Sequence, residues 1–343
     1  MNFLVIANNY EGNEDAIGKH ARILNEEYRK LGYNTMVFSG RTSGKSKIGK
    51  IFSMGMTIAF FKAAMTLNRE KYDYAIIEYP FDEYNPLILI SLCFLKFMTL
   101  CNGVKIALSL HEFDRVKFLR KVTILVFVAI CDILFVSEDK YLNKFRNFKK
   151  YIFIRKIPNH LKRPSYPKVY DKKKYVYFGL VSSTKAIKEM ITAWNIFNKE
   201  NKYSLDFITS SDVTPWYSDN NHNIFFHHNL PDDKCAELMY NAAYAIIPVK
   251  PFIGNNNSSF ISASQCGCIP IGVFSDELSN LKFVCNIHDY SIENLTTAFQ
   301  YVNDISIDKY YEISSAAIDY GSNYTSEKTA EQMIIGLKHS KIK

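Results

Sequence analysis

The segment Tyr244 to Phe274, YAIIPVKPFIGNNNSSFISASQCGCIPIGVF, collects the residue types that hold an anion. Ala245 to Val249 reads as a buried strand, and Gly254 to Ser259 contains no apolar residue, which leaves its backbone amides free for a ligand. Ser258 or Ser259 is placed to cap a helix that runs to about Cys266 and stops at Gly267, and Ile269 to Phe274 reads as a second buried strand. A phosphate at Asn256, Asn257, Ser258 and Ser259 would meet unpaired amides and the positive end of the helix dipole. His111 directly follows the strand-like run Val104 to Leu110, and open α/β sheets bind ligands outside the carboxyl ends of their strands. An imidazole there can donate to a hydroxyl or stabilise charge beside a reacting carbon. Lys185 stands where a strand and short loop give way to a helix. An ammonium at that point offsets charge on a leaving phosphate, and one charged hydrogen bond contributes roughly 1.5 to 3 kcal/mol.

The elements that must position these residues alternate along the chain. The first half predicts strands at Phe3 to Ala7, Thr35 to Ser39, Tyr74 to Glu78, Val104 to Leu110, Ile133 to Val136 and Tyr151 to Ile157, with an amphipathic helix over Asp15 to Leu31 ended by Gly32. Asn159 to Lys174 is polar, holds Pro164 and Pro167, and reads as a linker. A second series predicts strands at Tyr175 to Gly179, Leu205 to Thr209, Ile224 to Phe226, Ala245 to Val249 and Ile269 to Phe274. Its helices fall at about Lys188 to Asn198, Asp232 to Asn241 and Ser258 to Cys266, and a last helix covers Thr325 to His339. Strands separated by helices imply α/β architecture with parallel sheets in two Rossmann-like domains. At 343 residues the chain is long enough for two separate cores.

Composition bounds the rest. With 48% hydrophobic and 22% charged residues the chain should fold throughout. Seven cysteines, odd in number and mostly in apolar runs, argue for a reducing compartment, and Cys266 with Cys268 lacks two further ligands at metal spacing. The start MNFLVIANN reads as a strand, which places the protein in the cytosol, and Pro86 to Cys101 and Val122 to Val136 fall short of the roughly 20 residues of a spanning helix. Residues 1 to 163 hold 26 Lys+Arg against 15 Asp+Glu, whereas residues 164 to 343 hold 16 against 19. Lys45, Lys47 and Lys50 precede Phe52, Phe60 and Phe61, and Arg115, Lys117, Arg120 and Lys121 precede another apolar segment. Basic residues beside apolar ones suit peripheral attachment to an anionic membrane surface. The Gly40 to Ser46 stretch has P-loop composition with its glycines one residue too close, and the scattered aromatics give no nucleic-acid pattern.

The strand, Pro, polar glycine-containing loop, short helix and Cys-Gly-Cys-Ile-Pro-Ile of residues 244 to 274 resemble the donor segment of GT-B glycosyltransferases, especially the retaining family 4 of bacterial surface-polysaccharide synthesis. That family carries two glutamates eight residues apart in this segment. Here both are replaced, with Gly254 and Ser262, or Ile253 and Ile261, at their places. Leu110-His111-Glu112-Phe113 resembles the motif whose histidine approaches the donor sugar, and Glu112 with Asp114 is not read as a metal pair because such enzymes generally need none. Residues 177 to 185 resemble the family's diphosphate motif, with Lys185 kept but Leu180 and Ala186 where arginine and glycine are usual. The loop of Glu11, Gly12, Glu14, Asp15 and Gly18 is similar to one that touches acceptor and donor phosphate. An inverting reaction would ask Glu11, Glu14 or Asp15 for a general base, and Asp15 also suits a helix cap.

The resemblance spans nearly the whole chain, through Val136-Ser137-Glu138 and Ile157-Pro158-Asn159 as well. It implies two Rossmann-like domains facing across a cleft, residues 1 to 160 on the acceptor side and 161 to 323 on the donor side, with 324 to 343 crossing back. It also implies a metal-independent, retaining transfer from a UDP- or GDP-type sugar to a lipid-linked or glycan acceptor. The donor loop would be Gly254, Asn256, Asn257, Ser258, Ser259 and Ser262. No cofactor beyond the donor and no nucleic acid are expected. Loss of the glutamates also fits a catalytically silent GT-B protein that supports a partner transferase.

Overall fold

The apolar runs of the first half become one all-parallel sheet. The computed structural model describes residues 1–10, 16–40, 53–67, 71–81, 85–111, 113, 116, 118–148, 150–159, 161–216 and 222–340. By internal contacts the chain divides into two units, Met1–Pro158 with the stretch from Ser326 onward, and Asn159–Thr325. In the first unit the strands are β1 (Asn2–Asn8), β2 (Asn34–Gly40), β3 (Tyr74–Tyr79), β4 (Lys105–Leu110), β5 (Ile133–Val136) and β6 (Tyr151–Ile154), in the order β2-β1-β3-β4-β5-β6. Helices α1 (Ala16–Lys30), α2 (Gly55–Thr66), α3 (Leu87–Cys101), α4 (Phe118–Ile130) and α5 (Lys140–Phe145) connect them.

Alternation along the strands sends side chains to two cores. Leu4 and Ile6 of β1 join Met56 and Phe60 of α2, Leu92 and Leu95 of α3, and Ile124 and Phe127 of α4 on one face. Phe3 and Val5 join Leu24 and Tyr28 of α1 on the other. A sheet buried on both faces must be covered by helices on both, which is why its strands are nearly continuous apolar runs.

The second unit repeats the scheme. Its strands are β7 (Lys174–Phe178), β8 (Ser204–Thr209), β9 (Ile224–His228), β10 (Tyr244–Ile246), β11 (Ile269–Gly272) and β12 (Cys285–Asn286), ordered β12-β11-β10-β7-β8-β9 and all parallel. Helices α6 (Ile187–Phe197), α7 (Asp232–Asn241), α8 (Ser258–Gln265), α9 (Asp276–Ser279), α10 (Ile292–Asn303) and α11 (Ile307–Gly321) flank it. Tyr175 and Tyr177 pack with Trp194 of α6 and Phe299 of α10, while Val176 packs with Met239 of α7 and Phe260 of α8. Strand order reverses between β7 and β10, so the loops after those two strands flank the point where such sheets open a ligand crevice. The last helix, α12 (Ser326–His339), belongs to the first unit. Its Met333 and Leu337 fill the core beside Tyr28 and Tyr74, and Thr329 donates to Lys156 O at 3.1 Å.

Three sequence expectations need correction. Strand β10 ends at Ile246, because Pro248 has no N–H and Val249 N turns back to Ile247 O at 2.9 Å. The polar stretch after Pro158 is not a free linker. Leu161 sits in a core, Tyr170 stacks on Tyr310 with ring centroids 3.9 Å apart, and Lys168 Nζ donates to Ala242 O and Cys266 O at 2.7 Å each. Lys168 thereby places its charge on the carbonyl ends of α7 and α8. Helices α9, α10 and α11 and strand β12 were not expected from the sequence.

Candidate functional site

The donor loop is built by the carboxyl ends of β7 and β10. After β10 the chain forms a turn in which Asn257 N bonds Gly254 O at 3.0 Å, and α8 follows. Its cap is Asn257, not Ser258 or Ser259: the Asn257 side chain accepts from Phe260 N at 2.9 Å. Ser258 and Ser259 are thus the first two helical residues, whose amides have no intrahelical carbonyl to meet. Ser259 Oγ donates to Phe178 O at 2.6 Å, which fastens the start of α8 to the end of β7. Gly267 ends the helix with φ +67°, a conformation that favours glycine.

Lys185 reaches the same spot from the other side. Its backbone bridges Val249, and Ala186 N bonds Pro248 O at 2.8 Å, so the start of α6 is held against the loop after β10. Lys185 Nζ donates to Tyr177 Oη at 3.1 Å, and no carboxylate among the described residues pairs with it. Burial without a counter-charge lowers its pKa to about 8. Gly179 has φ +142°, and a Cβ there would lie 2.6 Å from Lys185 Nζ and 3.1 Å from Ser259 Oγ. The ammonium and the first-turn amides of α8 therefore stand beside one another at Gly179, a set of donors that suits a phosphate.

The remaining donor-loop residues divide. Gly254 has nothing within 4 Å of a Cβ position, and Asn256 is half-buried. Ser262 does not face the loop: it is fully buried and its hydroxyl lies 2.9 Å from Asn159 Oδ1. Asn159 in turn holds Gln265 at 2.6 Å, so this part of α8 packs inward. The sequence missed Glu277, whose carboxylate accepts from Asn255 Nδ2 at 2.6 Å. Counting along residues 254 to 267 cannot find it, because α9 follows β11 and only the pairing of β10 with β11 brings it beside the loop. Cys266 and Cys268 are buried free thiols, and burial pushes Cys266 up to about 12, which leaves it unreactive.

In the first unit His111 is half-buried at the end of β4, where its amide bonds Tyr79 O at 3.1 Å. Its Nε2 lies 2.9 Å from Glu78 Oε2 and 2.7 Å from Arg155 Nη2. Arg155 Nη1 reaches His20 Nε2 at 2.8 Å, and Ser109 donates to Glu78 at 2.6 Å. Burial, then the Arg155 charge, holds His111 well below the usual imidazole range. Glu78, Arg155 and His20 were also missed; for Glu78 and Arg155 the available signal was a lone charged residue inside or just after an otherwise apolar strand. Gly18 sits in α1 against the loop after β1, where a Cβ would lie 2.3 Å from Asn9 O. Glu11, Gly12, Glu14, Asp15, Glu112 and Asp114 lie outside the described residues, as do Gly44 and Lys45 of the P-loop look-alike.

No family model matches the chain, and no curated protein does. Solved structures match it along its full length. A glycosyltransferase from Rickettsia africae aligns at 10% identity and TM-score 0.71 over 99% of this chain and 98% of its own. HepE of Anabaena, in complex with UDP and glucose, aligns at 10% identity and TM-score 0.67 over 99% and 100%. A trehalose-6-phosphate protein of E. coli, bound with UDP-2-fluoro glucose, aligns at 9% and 0.65 over 98% and 99%. The fold is therefore that of GT-B glycosyltransferases, two parallel six-stranded sheets with flanking helices.

Proposed function

From the GT-B fold and the phosphate-binding point above Gly179, we propose that the protein is a glycosyltransferase that uses a nucleotide diphosphate-sugar of UDP or GDP type. The observation that carries this reading is Lys185, a partly buried ammonium without a carboxylate partner beside the first turn of a helix. A buried charge is costly when unpaired, and a diphosphate supplies the missing partner. As the bond from sugar to phosphate breaks, negative charge grows on the leaving diphosphate, and Lys185 with the Ser258 and Ser259 amides offsets it. Asn255 and Glu277 offer an amide and a carboxylate to ribose hydroxyls in place of the replaced glutamates. His111 would act on the donor sugar. The resemblance to family 4 supports retention and independence from metal, and Gly18 stays assigned with its loop to acceptor and phosphate.

The acceptor in this reading is a lipid-linked or other glycan in surface-polysaccharide assembly, met at the inner face of the cell membrane. No helix among the described residues is long and apolar enough to cross a membrane. Helices α2, α3 and α4 do expose Ile58, Phe61, Met65, Ile90, Phe97, Leu100 and Phe118 in a half of the chain with net positive charge. An apolar face in a basic region suits an anionic bilayer. Of the residues first expected there, Phe60 is buried in the core and Arg120 is turned inward to Phe81 O at 2.6 Å. Lys45, Lys47, Lys50, Phe52, Arg115 and Lys117 lie outside the described residues.

A thermal-shift panel of UDP, GDP, ADP, CMP and their sugars tests the proposal. A ligand at a hundred times its dissociation constant adds about 2.7 kcal/mol of stability. One nucleotide diphosphate should raise the melting temperature, and its sugar should be consumed in the presence of a lipid-linked glycan. No shift with any nucleotide at millimolar concentration would leave a silent GT-B scaffold as the better reading.

A further inference from the structure

Tyr177, the next-to-last residue of β7, is buried with its ring against that of Phe207 in β8, centroids 4.2 Å apart. A phenol hydroxyl has one proton to give and two lone pairs. Tyr177 gives its proton to Leu180 O at 2.8 Å, which leaves its lone pairs to accept, and Lys185 Nζ donates to one of them at 3.1 Å. The ammonium lies 5.2 Å from the ring centroid. A Cβ on Gly179 would be 2.6 Å from Lys185 Nζ and 4.0 Å from Tyr177 Oη, so both atoms border the same glycine.

Lys185 is thereby held at both ends. Its amide bonds Ser182 O at 3.1 Å and its backbone bridges Val249, while its Nζ ends on the phenol. An unheld lysine spreads its charge over many rotamers and must be ordered when a ligand arrives, which weakens binding. A carboxylate partner would order it too, but would cancel its charge. The phenol orders without cancelling: burial pushes the Tyr177 pKa upward, so the hydroxyl stays neutral and the ammonium keeps its charge for a ligand. On the flanking elements, Glu189 of α6 and Lys250 of the loop after β10 are bonded to each other at 2.9 Å.

We infer that Tyr177 is a positioning residue for phosphate recognition: its hydroxyl holds the Lys185 ammonium at Gly179, oriented and uncancelled, before the ligand arrives. That the ligand is a nucleotide diphosphate rests on the glycosyltransferase reading; the hold of Tyr177 on Lys185 does not. The hydroxyl acts only through the lysine, so its removal should matter only while the lysine is present.

Tyr177→Phe removes the hydroxyl and keeps the ring against Phe207. Lysine side-chain NMR on the full chain, with Lys185→Ala used to assign the signal, follows the ammonium without any ligand. In the wild type Lys185 should titrate near its lowered pKa of about 8. In Tyr177→Phe the ammonium has lost its acceptor and should turn out to water, so it should titrate above about 9, toward the ordinary value of about 10.4. A value that stays near that of the wild type or falls below it would overturn the inference. Titration calorimetry with UDP and GDP at pH 7 closes a double-mutant cycle. Tyr177→Phe should weaken the nucleotide that binds about tenfold when Lys185 is present and less than about twofold in Lys185→Ala. Equal weakening in both backgrounds would make Tyr177 a packing residue and likewise overturn the inference. If neither UDP nor GDP binds the wild type, the proposed substrate falls, and the lysine titration alone decides the role of Tyr177.

Discussion

The Cα of Gly179 lies so close beneath Lys185 that a single added carbon would come within 2.6 Å of its ammonium. The positive φ of Gly179 and the close approach of Lys185 above it are thus two sides of one arrangement, and the sequence pattern Gly179 to Lys185 encodes both. Gly179→Ala should weaken nucleotide diphosphate binding at least tenfold, because it strains the backbone and pushes Lys185 away. Lys185→Ala should weaken it by roughly 1.5 to 3 kcal/mol. Titration calorimetry measures both, and affinity unchanged in both variants would remove the site.

Binding should also depend on pH in a stated direction. Lys185 has a pKa near 8 in the empty protein, and the diphosphate selects its charged form. Affinity should be flat below about pH 7 and about tenfold weaker at pH 9, with proton uptake visible as a buffer-dependent heat. In Lys185→Ala this dependence should vanish.

The same lysine should cost stability. Its folded pKa is below its unfolded value, so the unfolded chain binds more protons between about pH 8 and 10.5 and stability rises with pH across that window. Below it the full cost is present. Lys185→Met should stabilise the empty protein at pH 7 by on the order of 1 to 2 kcal/mol and so raise its melting temperature, while abolishing the nucleotide response. Differential scanning calorimetry with and without UDP or GDP separates the two effects.

Asn257 and Ser262 should behave as structural residues. Asn257→Ala removes the cap of α8 and should destabilise by about 1 kcal/mol, whereas Asn257→Asp should keep the cap. Ser262→Ala leaves buried Asn159 with one partner fewer and should lower stability by about 1 kcal/mol without changing nucleotide affinity. Chemical denaturation paired with calorimetry distinguishes these from ligand contacts.

Attachment to membranes should need the exposed faces of α3 and α4. Phe97 and Leu100 are 60% and 67% exposed, and Phe118 is 81% exposed. Phe97→Glu with Leu100→Glu should reduce flotation with vesicles containing phosphatidylglycerol at least tenfold and leave nucleotide binding intact. Wild-type flotation should fall with added salt and with neutral lipid. Equal flotation of wild type and double variant would reject this surface.

The sequence by itself determined the frame. Apolar strand runs separated by helical periods dictate parallel sheets covered on both faces, because a strand with no polar face must be buried twice. It also marked His111, Lys185 and the polar loop before α8, since position at the end of a strand is a local property. Tertiary structure alone decided which of these could act together. Ser262 and Ser259 are three residues apart on α8 and both buried, yet one bonds Asn159 and the other Phe178 at the end of β7. Glu277 joins the loop only because β11 lies beside β10, and Arg155 meets His20 across 135 residues of chain. Such meetings depend on strand order and on which face of an element is buried, and neither is written in the spacing of residues along one segment. His111 shows the limit most plainly: its place was legible in the sequence, but its partners Glu78 and Arg155 come from β3 and from the residue after β6.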